Sequence, residues 1–571
     1  MTSIQRAAER WSSISEFQRD KPSLKLEICW VFAAFAVIAT VGALKVPLPL
    51  HRDAATFLWL ASRIQQGAVL YVDVWDVKQP GIFMFDLLAG RLFGFTAEGV
   101  HCFELLWHLT FAAVATIALR PSLRHPWLAV LGPAAALTSY YVFCQSHQQT
   151  QLEILVALPL FIVAWITVIN WRSQFRRALG YFAAGIAAGI VTAFKHVLAP
   201  IPVAFLLAAT FEQWRRRPGI TVALVAGMWL PFILGVLVVW GGMAFAFWRL
   251  GAIDAFLTTT FVYPIMALED VSQAPYSRLL IALAIFITAT APWLPYGAYA
   301  VIRWRRSKQA DLTARMILWL VVGLGVILIQ KSSWWTYHML LLYAPVGILG
   351  ARGVDLVVSR LRHGRAPGSL SPAIISVILV APVLAALGYP AGETARPLIT
   401  ALAPDGAGIE AYRREASLQY AEAADAAAFL EVHAPPGPIY VFGDPTIHLL
   451  SGREQAIPQQ GSAWDFYLPD QWRRLPDELR ASRPVWVFIE TPFIPLVAHN
   501  SPQTAALLSR DYHVVWETSY GRWYALRSAD HADRTLSARA VADRNQSSEY
   551  DAATSTAVNA SRSLPAHFAA N

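Results

Sequence analysis

The chain reads as an α-helical polytopic membrane protein followed by a small external α/β domain, and three observations predict this. Of its 571 residues 56% are hydrophobic and only 15% are charged, against roughly a quarter charged in soluble domains, and the mean hydropathy is +0.42. Apolar runs long enough to cross a bilayer recur from residue 27 onward, divided by short polar segments. After Tyr389 the composition turns soluble, with helical and strand patterns in place of continuous apolar runs. The net charge of +8 is gathered in short Arg and Lys clusters between apolar spans. That is a topology signal and argues against a nucleic-acid partner. Cys29, Cys102 and Cys144 stand singly in apolar segments, so neither a metal knuckle nor a disulfide framework is indicated.

Residues 1–26 are polar and basic and lack the short apolar core and cleavage site of a signal peptide. They predict a cytoplasmic N-terminal segment leading into an uncleaved first span, Glu27–Val46. A transmembrane domain then occupies residues 27–389, with a first external loop at 47–99. Within that loop Ala55, Leu58, Leu60, Ala61 and Ile64 fall at helical spacing, which suits a helix lying in the interface plane over Ala54–Gln66. Ile82–Phe95 is apolar but interrupted by Asp86, Gly90 and Arg91, so it too is read as interfacial. Further spans are expected at Val100–Leu119, Trp127–Phe143, Leu152–Ile169, Leu179–Phe194, Val197–Phe211, Ile220–Trp240, Leu279–Ile302, Met316–Ile329, Met339–Gly350 and Ala373–Leu387. The total is about eleven, and every Arg-rich cluster lands on one side.

Between two of these spans, residues 241–278 carry Trp248, Phe256 and Phe261 and read as amphipathic helices forming a lid or a lipid-groove wall. Residues 390–408, rich in Ala, Pro and Gly, form a linker to an external α/β domain at 409–528. Its elements are a helix over Ile409–His433, buried strands at Pro438–Gly443 and Pro484–Glu490, and a hairpin pairing Tyr512–Trp516 with Trp523–Arg527. The tail 529–571 has almost no aliphatic periodicity and is expected to be disordered.

The span count puts the unusual polar residues at the opposite side from the arginines. Asp53, Asp73, Asp76, Lys78, Glu153, Lys195, His196, Lys331 and His338 all fall at outer helix ends or in outer loops. Ionisable groups beside a bilayer must be solvated, paired or useful to offset their desolvation. Single lysines among them could merely snorkel to headgroups, and Glu153 could merely pair with Lys195. A face that gathers acids, lysines and histidines together suits an anionic, lipid-linked ligand.

The order of the pieces in residues 51–81 carries a resemblance. An Asp just past the first span is followed by an amphipathic stretch ending in Gln66-Gly67, then by Tyr71-x-Asp73-x-Trp75-Asp76-x-Lys78-x-Pro80. This resembles the first external loop of the C-type (GT-C) polyprenyl-phosphate-sugar-dependent glycosyltransferases, which include protein O-mannosyltransferases and the lipid A aminoarabinose transferase. Further on, Gln151-x-Glu153 resembles the Asn-x-Glu that opens an outer helix in bacterial members. Tyr337-His338 through Pro345 resembles a His-Tyr-Leu-Leu-x-x-x-Pro pattern near the penultimate spans, and Asp444–Glu454 resembles a Tyr/Phe-x-x-Gly-Arg turn of the external domain. The chain departs from the family at Ala54, where a second acid is common, at Gln79, where Lys-Pro-Pro is usual, and at Leu449, where an aromatic is expected.

The resemblance implies a glycosyltransferase that moves a sugar, with inversion, from a polyprenyl-phosphate donor to an acceptor at the external face of the plasma membrane. On that reading Asp53 is the general base and Glu153 the second catalytic acid of the site, while Lys78, Lys195 and His338 hold the donor phosphate. Tyr71, Asp73, Trp75 and Asp76 shape the loop around them. The acceptor could be an envelope glycolipid, a polysaccharide or a protein, and the sugar a hexose or a pentose. No metal-ligand spacing appears, so no cofactor is assigned, although scattered carboxylates gathered in three dimensions would leave a divalent metal open. The competing reading is a transporter or flippase for a lipid-linked sugar, in which the same charges would line a path. Transporters tend to show internal repeats and charges at mid-bilayer, and neither is evident here.

Overall fold

The apolar runs fold as helices because in lipid a helix satisfies its own backbone groups. The computed structural model describes residues 24–216, 222–270, 274–307, 311–363, 388, 392 and 395–527. The basic start, the expected last span Ala373–Leu387, the opening of the linker 390–408 and the tail 529–571 lie outside the described residues. Among the described residues six helices are long and apolar enough to cross a membrane: Ala97–Ser122, Gln174–Phe194, His196–Arg215, Val225–Arg249, Leu312–Ile329 and Thr336–Leu361.

Several expected spans take other forms, each for a local reason. The expected span Leu279–Ile302 is a pair of helices, Tyr276–Thr290 and Leu294–Trp304, bent by 88°. Pro292 falls in the break, where it supplies no amide hydrogen and its ring would clash with the preceding turn. Trp127–Phe143 divides into a 3₁₀ turn, Pro126–Val130, and the helix Leu131–Phe143. Leu152–Ile169 is represented by two short helices, Leu152–Leu155 and Ala157–Ile166, whereas the first expected span lies in the 20-residue helix Leu24–Ala43. The loop expected from Gly241 is shorter than read, because the helix Val222–Arg249 continues straight through Gly241 and Gly242. Beyond this helix lie a short helix, Ile253–Leu257, a π-helical turn at Thr258–Val262 and the helix Tyr263–Asp270. The interfacial stretches form the helices Arg52–Gln65 and Pro80–Phe93. The linker is helical over 395–401, where Leu398 and Ala401 bury themselves against Leu48 and Tyr412.

Helix packing relies on small residues. Gly185 and Gly189, four apart on Gln174–Phe194, face Val222–Arg249 so closely that an added Cβ at Gly185 would lie 2.0 Å from the Phe232 carbonyl oxygen. This small-residue spacing lets two backbones touch, which in lipid is a main source of helix association. At the Arg-rich end, buried Asp355 accepts bonds from the Arg124 and His125 amides and the His125 ring, and pairs with Arg352 at 2.9 Å. Buried Arg315 grips both oxygens of Glu212 at 2.6 and 2.9 Å.

Chain contacts divide the protein into two units. The helical unit runs to Ala428 and also takes two later segments, Asp444–Ser451 and Pro458–Leu468. The second unit is built on a four-stranded sheet: β1 Ile439–Phe442, β2 Trp486–Glu490, β3 Tyr512–Glu517 and β4 Gly521–Leu526, in the order β1-β2-β4-β3. β1 and β2 are parallel and fully buried, as their unbroken apolar runs require. β3 and β4 form the expected antiparallel hairpin, with a bulge between Val514 and Trp516. In the same unit Arg453 donates to the carbonyls of Leu430, Ala434 and Pro435 and so closes the end of the helix Leu418–His433.

Candidate active site

Three interruptions of helical structure meet at the end of the helical unit opposite the arginines. Glu153 lies in the first turn of the helix Leu152–Leu155. Lys195 is the extended residue that ends Gln174–Phe194. His338 lies in the 3₁₀ turn Thr336–Leu342. Irregular backbone of this kind persists at membrane depth only where it is buried in protein or lines a cavity. Lys195 Nζ donates to Glu153 Oε1 at 2.7 Å and to His338 Nε2 at 3.4 Å, and the His338 ring is 3.7 Å from the same carboxylate oxygen.

The donor inventory fixes the protonation of the histidine. An ammonium can only donate, so His338 Nε2 accepts and its hydrogen resides on Nδ1. That Nδ1 and the second oxygen of Glu153 are both buried without a hydrogen-bond partner among the described residues. A buried donor and a buried acceptor left open beside a lysine are polar groups available to a ligand.

Lys78 reaches the same neighbourhood on a loop made rigid by its own polar residues. Its charge and that of Lys195 both act on the His338 ring, and its Nζ stands 5.3 Å from the centre of the Phe466 ring. Tyr71 takes a left-handed φ of 71°, and its hydroxyl donates to the Lys78 carbonyl at 2.7 Å. Burial pushes that phenol well above its ordinary range, which keeps it a donor. Asp76 accepts the Lys78 amide at 2.8 Å, and Asp73, exposed, accepts the Val69 amide at 2.7 Å. Both acids therefore shape the turn, and Asp73 lies at the surface. Trp75 anchors the loop through its amide to the Pro458 carbonyl and through its indole to Thr259 in the π-helical turn.

Gly81 decides how near this loop comes to Lys195. A Cβ there would lie 2.6 Å from the carbonyl carbon and oxygen of Ala193 and 2.8 Å from the Phe194 nitrogen. No other residue allows that approach.

Asp53 occupies the first turn of the helix Arg52–Gln65 and is half-buried. Unlike Glu153 it makes no side-chain hydrogen bond or ion pair among the described residues. The contacts toward the cluster come from nearby residues instead. The His51 ring lies 6.0 Å from that of His147, edge to face. His147 Nε2 lies 3.3 Å from the Thr336 hydroxyl, which also accepts from the Gln148 amide at 3.0 Å. Burial holds His51 below its usual range and His147 at about 4.

His51, His147, Thr336, Phe466 and Asp444 were not singled out as site residues from the sequence. Each is ordinary in its own window, and only the fold brings them near Asp53 and Lys78. His196, beside Lys195, stacks on Phe261 at 5.1 Å and leans on Trp240 at 4.8 Å. Among the described residues no group of three His, Cys, Asp or Glu side chains could hold a metal ion.

No protein-family model matches the sequence, and no curated protein matches it either. Solved structures do. ArnT from Cupriavidus metallidurans, in a crystal structure bound to undecaprenyl phosphate, aligns with a TM-score of 0.59 at 12% identity, covering 89% of this chain and 99% of that one. The apo structure of the same protein aligns with a TM-score of 0.59 at 14% identity, covering 87% and 98%. The chain has the fold of ArnT. The alignment takes in both the helical part and the sheet-bearing part, despite low identity.

Proposed function

We propose that this chain is a C-type glycosyltransferase that moves a sugar from a polyprenyl-phosphate donor to an envelope acceptor at the outer face of the plasma membrane, with inversion at the anomeric carbon. The observation that carries the reading is the cluster of Glu153, Lys195 and His338, with a buried Nδ1–H that has no partner among the described residues, beside Lys78. It supports a site for a phosphate group in a fold whose relative ArnT was crystallised with undecaprenyl phosphate.

In this reading Lys78, Lys195 and the Nδ1–H of His338 hold the donor phosphate and stabilise the charge it gains as the sugar–oxygen bond breaks. A phosphate held this way leaves readily, so the remaining demand is to orient and deprotonate the acceptor. Asp53 takes that proton, since its carboxylate is uncommitted while one oxygen of Glu153 is bound to Lys195. Glu153 keeps Lys195 in place, and Tyr71, Asp73, Trp75 and Asp76 keep Lys78 in place. The orientation follows from the arginine clusters: N-terminus in the cytoplasm, sheet-bearing unit in the periplasm or exterior.

The alternative, a flippase for the same lipid, is separated by one assay. Purified protein in liposomes is given a polyprenyl-phosphate sugar and an envelope lipid extract. Acceptor-dependent release of free polyprenyl phosphate supports transfer; passage of the intact donor across the bilayer without release contradicts it.

A further inference from the structure

Glu104 is a buried acid that the proposed chemistry does not use. It lies in the span Ala97–Ser122, has no exposed surface and makes no ion pair among the described residues. An acid inside a span is costly to bury, so its retention points to a function. Its contacts lead to the loop that carries Glu153. Glu104 Oε1 accepts from the Tyr140 hydroxyl, itself fully buried, and from the Thr150 amide at 3.3 Å, and that amide reaches the Tyr140 oxygen at the same distance. Thr150 takes a left-handed φ of 56°. For a β-branched residue this is strained backbone, which persists only where the surroundings hold it. Immediately after it Gln151 opens the helix Leu152–Leu155, in whose first turn Glu153 pairs with Lys195 at 2.7 Å. The turn at Thr150 therefore sets the direction from which Glu153 enters the site.

We propose that Glu104 is a positioning residue of the donor site: it holds the Thr150 amide, the held amide keeps the left-handed turn, and the turn keeps Glu153 against Lys195. The proposal rests on the reading of Lys195 as a ligand of the donor phosphate. Glu104 acts by accepting two hydrogen bonds and needs no contact with donor or acceptor. Two consequences separate this role from a general contribution to packing. An amide oxygen at position 104 accepts the same two bonds, so Gln serves in place of Glu. Glycine at position 150 adopts the left-handed φ without strain, so it removes the need for the hold.

The test compares wild type, Glu104→Gln, Glu104→Leu, Thr150→Gly and the double variant Glu104→Leu/Thr150→Gly. Release of polyprenyl phosphate from a polyprenyl-phosphate sugar is followed in liposomes, with donor and envelope lipid extract varied separately. Glu104→Leu is expected to lower kcat/KM for donor by about tenfold or more, with the acceptor KM unchanged. Glu104→Gln and Thr150→Gly should stay within about threefold of wild type, and the double variant within about threefold of Thr150→Gly. Thr150→Pro removes the amide and forbids a positive φ. It should lose donor use as Glu104→Leu does, and it decides the matter if Glu104→Leu does not insert. Unchanged donor use in Glu104→Leu or Thr150→Pro overturns the proposal. So does an inactive Glu104→Gln of wild-type thermal stability, or a loss in folded Glu104→Leu that Thr150→Gly does not restore. No release by wild type overturns the underlying reading of the site as well, so the two failures are distinct.

Discussion

Lys78 and Glu153 illustrate how two opposite charges at one site acquire different uses. Glu153 is buried and paired with Lys195 at 2.7 Å, and its removal would leave a lysine without its counter-charge. The backbone of Lys78 is held by contacts from Tyr71 and Asp76, which position the loop. Lys78→Ala should therefore weaken donor use far more than acceptor use. A charge-assisted contact is worth roughly 1.5 to 3 kcal/mol, or about one to two orders of magnitude. Steady-state kinetics with donor and acceptor varied separately check this, and an unchanged donor dependence contradicts it. At this scale the sequence was informative wherever a charge stood at a helix end, because desolvation makes such residues conspicuous. It was silent on His51, His147 and Asp444, which only tertiary contact makes relevant.

Elements are positioned by what they lack. The Lys78 loop reaches the end of Gln174–Phe194 because Gly81 has no Cβ to meet the Ala193 and Phe194 backbone. Gly81→Ala forces those backbones apart, and overpacking of this kind costs about 1 to 3 kcal/mol. The expected outcome is a lower thermal midpoint in detergent and at least a tenfold loss of transfer, with Gly242→Ala, where a Cβ meets nothing within 4 Å, as the neutral control. Equal behaviour of the two variants would contradict the packing account. The amphipathic helices and the hairpin were legible from periodicity and turn residues. The 88° break at Pro292 was signalled by a proline yet read through, because the apolar run continues on both sides. The run of Val222–Arg249 through two glycines likewise reflects its continuing apolar face, which outweighs about 1 kcal/mol of helix propensity per glycine.

Over the whole molecule the arginine clusters and the acid–lysine–histidine cluster occupy opposite ends of the helical unit, as the proposed outward-facing site requires. Reporter fusions after Arg365 and after Arg527 should report opposite sides of the membrane, because the span expected from the sequence at Ala373–Leu387 falls between them. The same side for both would contradict this topology. Composition made the membrane class legible, and strand patterns made the sheet legible. The return of Asp444–Ser451 and Pro458–Leu468 to the helical unit was not legible, because nothing local distinguishes a loop that packs on helices from one that stays with its sheet.

The central claim is that sugar transfer runs through the uncommitted carboxylate of Asp53. Turnover of Asp53→Asn, measured beside Glu153→Gln on a polyprenyl-phosphate sugar donor, tests it most directly, because the amide keeps the shape and removes the proton acceptor. A fall in kcat of about a hundredfold or more in Asp53→Asn, with donor binding nearly intact, is the predicted result. Normal turnover by Asp53→Asn together with an inactive Glu153→Gln would contradict it and make Glu153 the base.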